Sequence, residues 1–266
     1  MTSPSETRSR LPLYAKVPEI TVLFWVIKIL TTGMGEAAAD YLGNTNLVLA
    51  GVVGAGGIVL ALRWQLRTTE YRPVPYWTAV AMVAVFGTMA ADLLHVILGI
   101  SYLVSTPMCA AALAVILVWW WRSEGTLSIH SIVTPRRERF YWATVLASFA
   151  LGTAAGDLTA ASLHLGFFVS GLLFGAMILV PLVAWRMGLN EVTAFWAAYI
   201  LTRPLGASFA DWFGKPPFLT GLGYGDGTVT WITLAAIVVL VGWVAAREHG
   251  VQAPHEVERE LDADPV

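Results

Sequence analysis

Four aspartates recur in one pattern along the chain. In each copy a tryptophan is followed ten residues later by a glycine, and an aspartate stands five residues beyond the glycine. The copies are Trp25, Gly35 and Asp40; Trp77, Gly87 and Asp92; Trp142, Gly152 and Asp157; and Trp196, Gly206 and Asp211. The pattern therefore predicts four equivalent acidic positions. Carboxylates attract cations and accept hydrogen bonds.

Further polar side chains share a helical face with these aspartates, because residues four apart lie on one side of an α-helix. The first copy places a base, a threonine and an acid there, the second and third a threonine each, and the fourth a tyrosine and a base. These residues are Lys28, Thr32, Glu36, Thr88, Thr153, Tyr199 and Arg203. If the four helices surround one axis, these faces meet in a polar path with an acidic mouth. We expect the two bases to form buried pairs with Glu36, Asp40 or Asp211.

A second candidate group has ligands that suit a transition-metal ion. Asp92 and His95 are three residues apart, and His164 and the pair Met108 and Cys109 fall at the same predicted depth. Carboxylate, imidazole and sulfur can bind such ions, so a divalent metal ion is a candidate substrate, whereas no resident cofactor is expected. The alternative interpretation is that the histidines lie at a membrane interface and bind no metal.

The aspartates have a structural interpretation as well. A carboxylate near the C-terminal end of a helix opposes the helix dipole, so each aspartate needs a specific partner. That partner could be a backbone N–H group at the start of the following helix. Such a latch explains four copies as well as a solute path does.

The composition indicates that a membrane-embedded fold positions these residues. Of the 266 residues, 57% are hydrophobic and 13% are charged, whereas soluble domains carry about 25% charged residues. The formal net charge is -2, and no basic run is interleaved with aromatic residues, which excludes a nucleic-acid partner. A single cysteine, Cys109, excludes an intrachain disulfide framework.

Long apolar runs without alternation predict transmembrane helices rather than a barrel. The expected fold is an all-α polytopic membrane protein with eight transmembrane helices, built as four tandem helix-pair repeats in parallel orientation. The predicted spans are 19–40, 45–66, 75–96, 103–122, 140–160, 163–185, 192–213 and 228–247. The repeats cover about 18–67, 73–122, 138–187 and 192–247 of a transmembrane domain at 18–247.

The placement of basic residues predicts the orientation. Thirteen lysines and arginines fall on the side of the N-terminus, and only Lys215 falls on the other side. Because basic residues favour the cytoplasm, both termini are predicted to be cytoplasmic. The flanking parts are a polar segment at 1–17 and an acidic tail at 248–266, which is expected to lack fixed structure.

Two strings carry a family resemblance, KVPEITVLFWVIKILTTGMGEAAADYL at 16–42 and RPLGASFADWFGKP at 203–216. Together with the Gly-x4-Asp copies, they resemble a family of bacterial membrane proteins defined by a tandem repeat of unknown function, usually labelled uncharacterised membrane-anchored protein. The resemblance implies a multi-pass protein of the bacterial cytoplasmic (inner) membrane and implies no activity. Thr88 and Thr153 stand where the first repeat has Glu36, so a Glu-Asp pair would belong to that repeat alone.

Two functions of different classes are compatible with these features. We expect a small-solute or cation transporter or channel, in which the repeat aspartates attract the ion while Lys28, Glu36 and Arg203 gate or couple its movement. The alternative is a non-transporting membrane scaffold or regulator whose loop 122–139 and acidic tail bind a cytoplasmic protein; a second copy of the chain is a further candidate partner. No nucleophile and base at credible positions indicate an enzyme.

Overall fold

Helices account for all regular structure in the residues that the computed structural model describes, 14–247 and 251–252. Eight of them are long α-helices. These are α1 Val22–Thr45, α2 Leu47–Leu66, α3 Pro73–Asp92, α4 Tyr102–Glu124, α5 Pro135–Asp157, α6 Gly166–Arg186, α7 Glu191–Gly214 and α8 Asp226–Ala246. Five-residue π-helical segments, Leu93–Ile97 and Leu158–Ser162, directly continue α3 and α5. Such segments within long helices are often found at functional sites.

Polar capping residues set the starts of the first two helices. The Thr21 hydroxyl accepts a hydrogen bond from the backbone N–H of Phe24 at 3.2 Å, and α1 begins there. Asn46 does the same for α2 by accepting from the backbone N–H of Leu49 at 3.0 Å. The first span was predicted to end near residue 40, whereas the helix continues to Thr45, because the capping residue is Asn46. Asp40 therefore lies inside α1, one turn before its end.

α1, α3, α5 and α7 form a closed ring, in which each helix packs on two neighbours in this order and α7 packs back on α1. Aromatic residues near the starts of these helices share one hydrophobic cluster, and the aspartates near their ends line one cavity. The four inner helices therefore run in the same direction around a common axis.

The outer helices α2, α4, α6 and α8 surround this ring. Each packs chiefly on the inner helix that follows it in the circle: α2 on α3, α4 on α5, α6 on α7, and α8 on α1. The helix pair is thus a unit of the sequence, whereas its outer helix makes its main contacts with the next unit. The last helix completes the circle by packing on the first.

The repeat glycines mark the contacts between neighbouring inner helices. Each glycine faces the residue that stands three positions before the glycine of the next repeat, and a Cβ atom added to it would overlap that residue. The pairs are Gly35 with Ala84, Gly87 with Phe149, Gly152 with Arg203, and Gly206 with Thr32. The absence of a side chain at these glycines therefore sets how closely the four helices approach.

Seven of the described helices are long and apolar enough to cross a membrane, and α7 does not meet this criterion. Its 24 residues include Glu191, Arg203 and Asp211, which lower its apolar character. Within the apolar 18-residue stretch of each outer helix, 22–28% of the residues are buried inside the bundle, against 39–67% for α1, α3 and α5. The outer surface accordingly exposes large apolar side chains, as membrane-like helical proteins do.

The structure describes only part of the two terminal segments for which the sequence made predictions. Of the predicted polar segment 1–17, residues 1–13 lie outside the described residues. The predicted acidic tail 248–266 also lies outside them, apart from residues 251–252. Gln252 is buried and donates hydrogen bonds to two backbone carbonyl groups just before α1, at 3.3 and 3.2 Å. The chain is therefore attached to the bundle at this position.

Candidate functional site

Arg203 and Glu36 form a buried ion pair at the centre of the helix ring. Arg203 Nη2 lies 2.6 Å from Glu36 Oε2, and the two side chains are 0% and 4% exposed. Arg203 Nη1 also donates to the backbone oxygen of Thr32 at 3.0 Å. The structure thus contains the expected pair between the base of the fourth repeat and the acid of the first, and this pair joins α7 to α1.

Thr88 and Thr153 complete the pair from the other two inner helices. Their hydroxyl groups donate to Glu36 Oε2 at 3.1 and 3.2 Å. Arg203 Nη2 donates to Thr153 Oγ1 at 2.8 Å and also to Thr88 Oγ1. The second and third repeats therefore depart from the first at this position by supplying hydroxyl groups to the ion pair. All four inner helices contribute one side chain to this network.

Within the described residues Lys28 has no acidic partner, contrary to the expectation. Its Nζ lies 4.3 Å from the ring centroid of Phe149 and 4.2 Å from that of Tyr199. Lys28 is 1% exposed, and its Nζ has no hydrogen-bond partner among the described residues. The reason is that both acids farther along α1 are paired with bases contributed by α7 and the residue after it. Aromatic faces can still attract a lysine ammonium group.

The four repeat aspartates line one cavity at the end of the ring where the inner helices finish. Its volume is about 590 Å³. The charged side chains that line it are Glu36, Asp40, Asp92, Asp157, Asp211 and Lys215. Because the inner helices run in the same direction and face one axis, equivalent positions of the four repeats converge there. The cavity therefore combines five carboxylic side chains with one lysine on its surface.

Lys215 is a residue of this site that the sequence analysis did not single out. Its Nζ lies 2.5 Å from Asp40 Oδ2, 3.2 Å from Asp226 Oδ2 and 3.9 Å from Asp211 Oδ1. Burial opposes the charged form of Lys215, but the attraction of these three carboxylates is larger and raises its pKa above the ordinary value. The sequence did hold an indication, because Lys215 is the one base predicted on its side and follows Asp211 by four residues.

Asp92 and Asp157 stand at the beginning of the two π-helical segments. Neither makes a capping hydrogen bond there. For the other two aspartates, the following helices α2 and α8 are preceded by Asn46 and Gly225 instead. In the part of the chain that the structure describes, no helix-opening N–H group binds a repeat aspartate in the way that the latch interpretation requires.

Glu36, Asp40 and Asp211 form a group that could hold a metal ion. One carboxylate oxygen of each lies within 4.8 Å of the others. Asp211 Oδ1 is buried and has no hydrogen-bond partner among the described residues. These three side chains come from α1 and α7, which are neighbours in the ring. Oxygen ligands of this kind suit hard divalent cations.

The predicted metal ligands Asp92, His95 and His164 do not form such a group within residues 14–247. His95 Nδ1 lies 2.9 Å from the backbone oxygen of Ile100, and its ring stacks on that of Tyr102 at 3.7 Å. His164 is exposed, with a φ of 56°. His95 lies within the π-helical segment after α3, whereas His164 lies in the connection after the π-helical segment that follows α5, so equal predicted depth did not bring them together.

Aromatic and charged side chains close the ring at the opposite end. The hydroxyl oxygens of Tyr76 and Tyr141 are 2.5 Å apart and buried between α3 and α5. Nearby, Lys16 forms a buried ion pair with Glu138, and Gln65 Nε2 donates to Glu138 Oε1 at 3.1 Å. The axis of the ring thus has an acidic cavity at one end and a packed, hydrogen-bonded layer at the other.

A helical bundle with apolar outer faces, a central ion pair and an acidic cavity defines a membrane-like, multi-pass class of protein. The chain belongs to the family described as Repeat of Unknown Function (DUF347), whose sequence model matches residues 23–71, 75–126, 140–187 and 194–249. These four matches confirm the tandem repeats and the family resemblance inferred from the Trp, Gly and Asp pattern. No curated protein and no solved structure matches the chain.

Proposed function

We propose that this protein is a multi-pass protein of the bacterial cytoplasmic membrane that transports a cation or small cationic solute. The convergence of the four repeat aspartates on one cavity is the observation that carries this proposal. Ionisable groups within membrane-spanning helices are costly and commonly mark solute pathways. Four copies placed around one space therefore support a function for that space.

The excess of acid supports a cationic substrate. Five carboxylic side chains line the cavity, and two bases are paired with them, Arg203 with Glu36 and Lys215 with Asp40. Removing a charged side chain from water costs on the order of several kcal/mol. The remaining acids, among them Asp92, therefore need cations or protons to neutralise them.

The closed end of the ring supports a carrier over an open channel. The Arg203–Glu36 pair lies between the cavity and the aromatic layer, and it bonds to side chains on all four inner helices. A change at this pair would reach every inner helix at once. We therefore assign the coupling of cation binding to helix movement to this network, with Lys28 beside it as a further base.

All eight helices cross the membrane in this proposal, with both chain ends in the cytoplasm. α7 is less apolar than the others, but Arg203 and Asp211 are buried within the bundle. A polar helix enclosed by apolar neighbours does not present its charges to lipid. The excess of basic residues on the side of the N-terminus supports the orientation.

A scaffold or regulator with a cytoplasmic partner remains the alternative, but the geometry of the segment 122–139 favours it less. Arg136 Nε lies 3.0 Å and Arg137 Nε 3.2 Å from oxygens of Glu124. Arg137 also donates to the backbone oxygen of Ser131 at 3.2 Å. These arginines therefore hold the connection together within the chain, which reduces what they can offer to a partner.

Cation flux into liposomes tests the proposal. Wild type, Asp92→Asn and Glu70→Gln are reconstituted, and uptake of K⁺, Na⁺, Mn²⁺ and tetramethylammonium is measured. Glu70→Gln is the matched control, since it makes the same chemical change at a side chain that is 44% exposed and outside the cavity. We expect uptake of at least one cation by wild type and the control, and uptake about tenfold lower for Asp92→Asn, because a lost charged hydrogen-bond partner costs about 1.5–3 kcal/mol.

Equal and negligible uptake of every cation by all three proteins would contradict transport. Uptake that is equal in wild type and Asp92→Asn would contradict the role of the cavity. Folding of each variant is checked by its thermal melting in detergent, so that a loss of uptake is attributed to the site.

A further inference from the structure

The cavity lining combines acidic and apolar residues, and this combination narrows the class of substrate. Resting on the proposed function, the geometry points to an organic cation with an apolar body. Its charge lies against the repeat aspartates, and its apolar part lies in a cleft between α2 and the π-helical end of α3.

The size of the cavity suits an organic molecule. Its volume of about 590 Å³ falls within the range of roughly 300–1,000 Å³ that is usual for small-molecule sites. A water molecule takes about 30 Å³ of liquid, so a metal ion with its ligands would leave most of this space unfilled. The Glu36, Asp40 and Asp211 group is only a small part of the lining.

Much of the remaining lining is apolar. Its side chains come from α2, α3 and the π-helical segment after α3. They are Leu47, Phe86, Met89, Leu93, Val96 and Ile97. Apolar walls with a few convergent polar groups are typical of sites for organic ligands. A bare inorganic cation gains nothing from such a wall, whereas an apolar substituent is removed from water there.

The apolar wall reaches the outer surface of the bundle. Leu47 is 64% exposed and Val96 is 74% exposed, although both line the cavity. The cleft is therefore open to the surface of the bundle near the ends of α2 and the π-helical segment. An apolar cation, which concentrates in the bilayer, can reach the aspartates through this opening.

Asp92 connects the acidic and the apolar parts of the lining. It lines the cavity and directly precedes the segment Leu93–Ile97, which forms part of the apolar wall. Asp211, which also lines the cavity, has a buried Oδ1 that makes no hydrogen bond within the described chain, and Lys215 Nζ lies 3.9 Å from it. A cation placed at these carboxylates has the wall within reach of its substituents.

Binding of two probes of equal charge tests this assignment. Radiolabelled tetraphenylphosphonium and tetramethylammonium are measured by equilibrium dialysis against the purified full-length protein in detergent. Tetraphenylborate, which has the same shape and the opposite charge, serves as a control for partition into micelles. We expect tetraphenylphosphonium to bind more tightly than tetramethylammonium, and Asp92→Asn to weaken its binding about tenfold or more.

Substitutions in the wall separate the apolar contribution from the charge. The double variant Val96→Ser/Ile97→Ser should weaken tetraphenylphosphonium about tenfold and leave tetramethylammonium unchanged, because it removes apolar contact alone. Its matched control is Leu103→Ser/Val104→Ser, at exposed positions of α4 that do not line the cavity. All four wall and control positions are exposed, so folding is expected to persist and is verified by melting temperature.

The outcomes distinguish this inference from the proposed function. If small cations bind in an Asp92-dependent manner and tetraphenylphosphonium does not, the organic-cation assignment is overturned and cation transport stands. If no cation binds in this manner, both are overturned. If tetraphenylphosphonium binds equally to wild type and the wall variant, the placement of its body in the cleft is wrong.

Discussion

Arg203 and Lys28 are two buried bases of the same helix ring with different surroundings. Arg203 bonds to Glu36 and to hydroxyl groups of two further helices. Lys28 lies between two aromatic rings and has no hydrogen-bond partner in the described part of the chain. The sequence predicted that both would pair with acids, and this was wrong for Lys28. Helical spacing shows which residues share a face, but it does not show which base reaches which acid.

This difference predicts opposite effects of the same substitution. Arg203→Met leaves Glu36 buried without its base, which should destabilise the protein by about 3–5 kcal/mol. Lys28→Met removes a buried ammonium that makes no hydrogen bond to any described residue, so stability should be unchanged or higher. Thermal melting of both variants in detergent measures the difference, with Arg67→Met as a control at an exposed base.

A larger loss of stability for Lys28→Met than for Arg203→Met would contradict this account of the ring. If Lys28→Met raises stability and lowers cation uptake together, Lys28 is kept for function at the expense of stability, which is a common relation at functional sites.

At the scale of elements, the repeat glycines determine how the inner helices approach. The sequence predicted these positions from their recurrence, but not their partners. Each glycine contacts a residue of the next repeat three positions before that repeat's own glycine. This offset depends on how neighbouring helices are staggered, and no spacing within one helix contains that information.

An alanine at one of these glycines should therefore separate two helices. In Gly35→Ala, the added Cβ would overlap the Ala84 side chain and lie 2.8 Å from the Ala84 backbone carbon. We expect a loss of about 1–3 kcal/mol, as is usual for overpacking. Gly56→Ala is the matched control, since a Cβ at Gly56 meets nothing within 4 Å. Thermal melting of both variants provides the measurement.

Equal melting temperatures for Gly35→Ala and Gly56→Ala would show that the ring can relax without cost. The fold would then not depend on close contact at the repeat glycines, and their recurrence would need another explanation.

The existence of the eight helices followed from the apolar runs, whereas their ends were less predictable. α1 extends past Asp40 because Asn46 caps the next helix. The π-helical segments after Asp92 and Asp157 were not predicted. Such segments result from local adjustment of the helix where it meets its neighbours, and hydrophobic periodicity does not report it.

At the scale of the whole molecule, the sequence predicted that the aspartates would converge, because parallel copies around one axis bring equal positions together. It did not predict the role of Lys215, which lies outside the repeated pattern. It also did not predict that each outer helix packs on the next repeat. Both features depend on the closed circle, and a circle is a property of all four copies.

The proposed topology predicts which loops are reached from each side of the membrane. Phe218→Cys and Glu70→Cys are made in a Cys109→Ser background and labelled with a membrane-impermeant maleimide in right-side-out vesicles. Phe218 is 83% exposed and lies in the connection between α7 and α8, on the side predicted to be outside. We expect labelling of Phe218→Cys in intact vesicles, and labelling of Glu70→Cys only after permeabilisation.

Labelling of Glu70→Cys in intact vesicles, without labelling of Phe218→Cys, would reverse the orientation. Labelling of both in intact vesicles would mean that the two connections lie on one side, which is incompatible with an odd number of crossings between them.

The circular packing has a consequence for how the protein is made. α1 leaves the ribosome first, yet its outer neighbour is α8 and the guanidinium that neutralises Glu36 belongs to α7. In the proposed topology, a chain truncated before α7 would therefore place Glu36 in the bilayer without its base. We expect α1 to reach its final packing only after the last quarter of the chain is made, so assembly finishes where synthesis began.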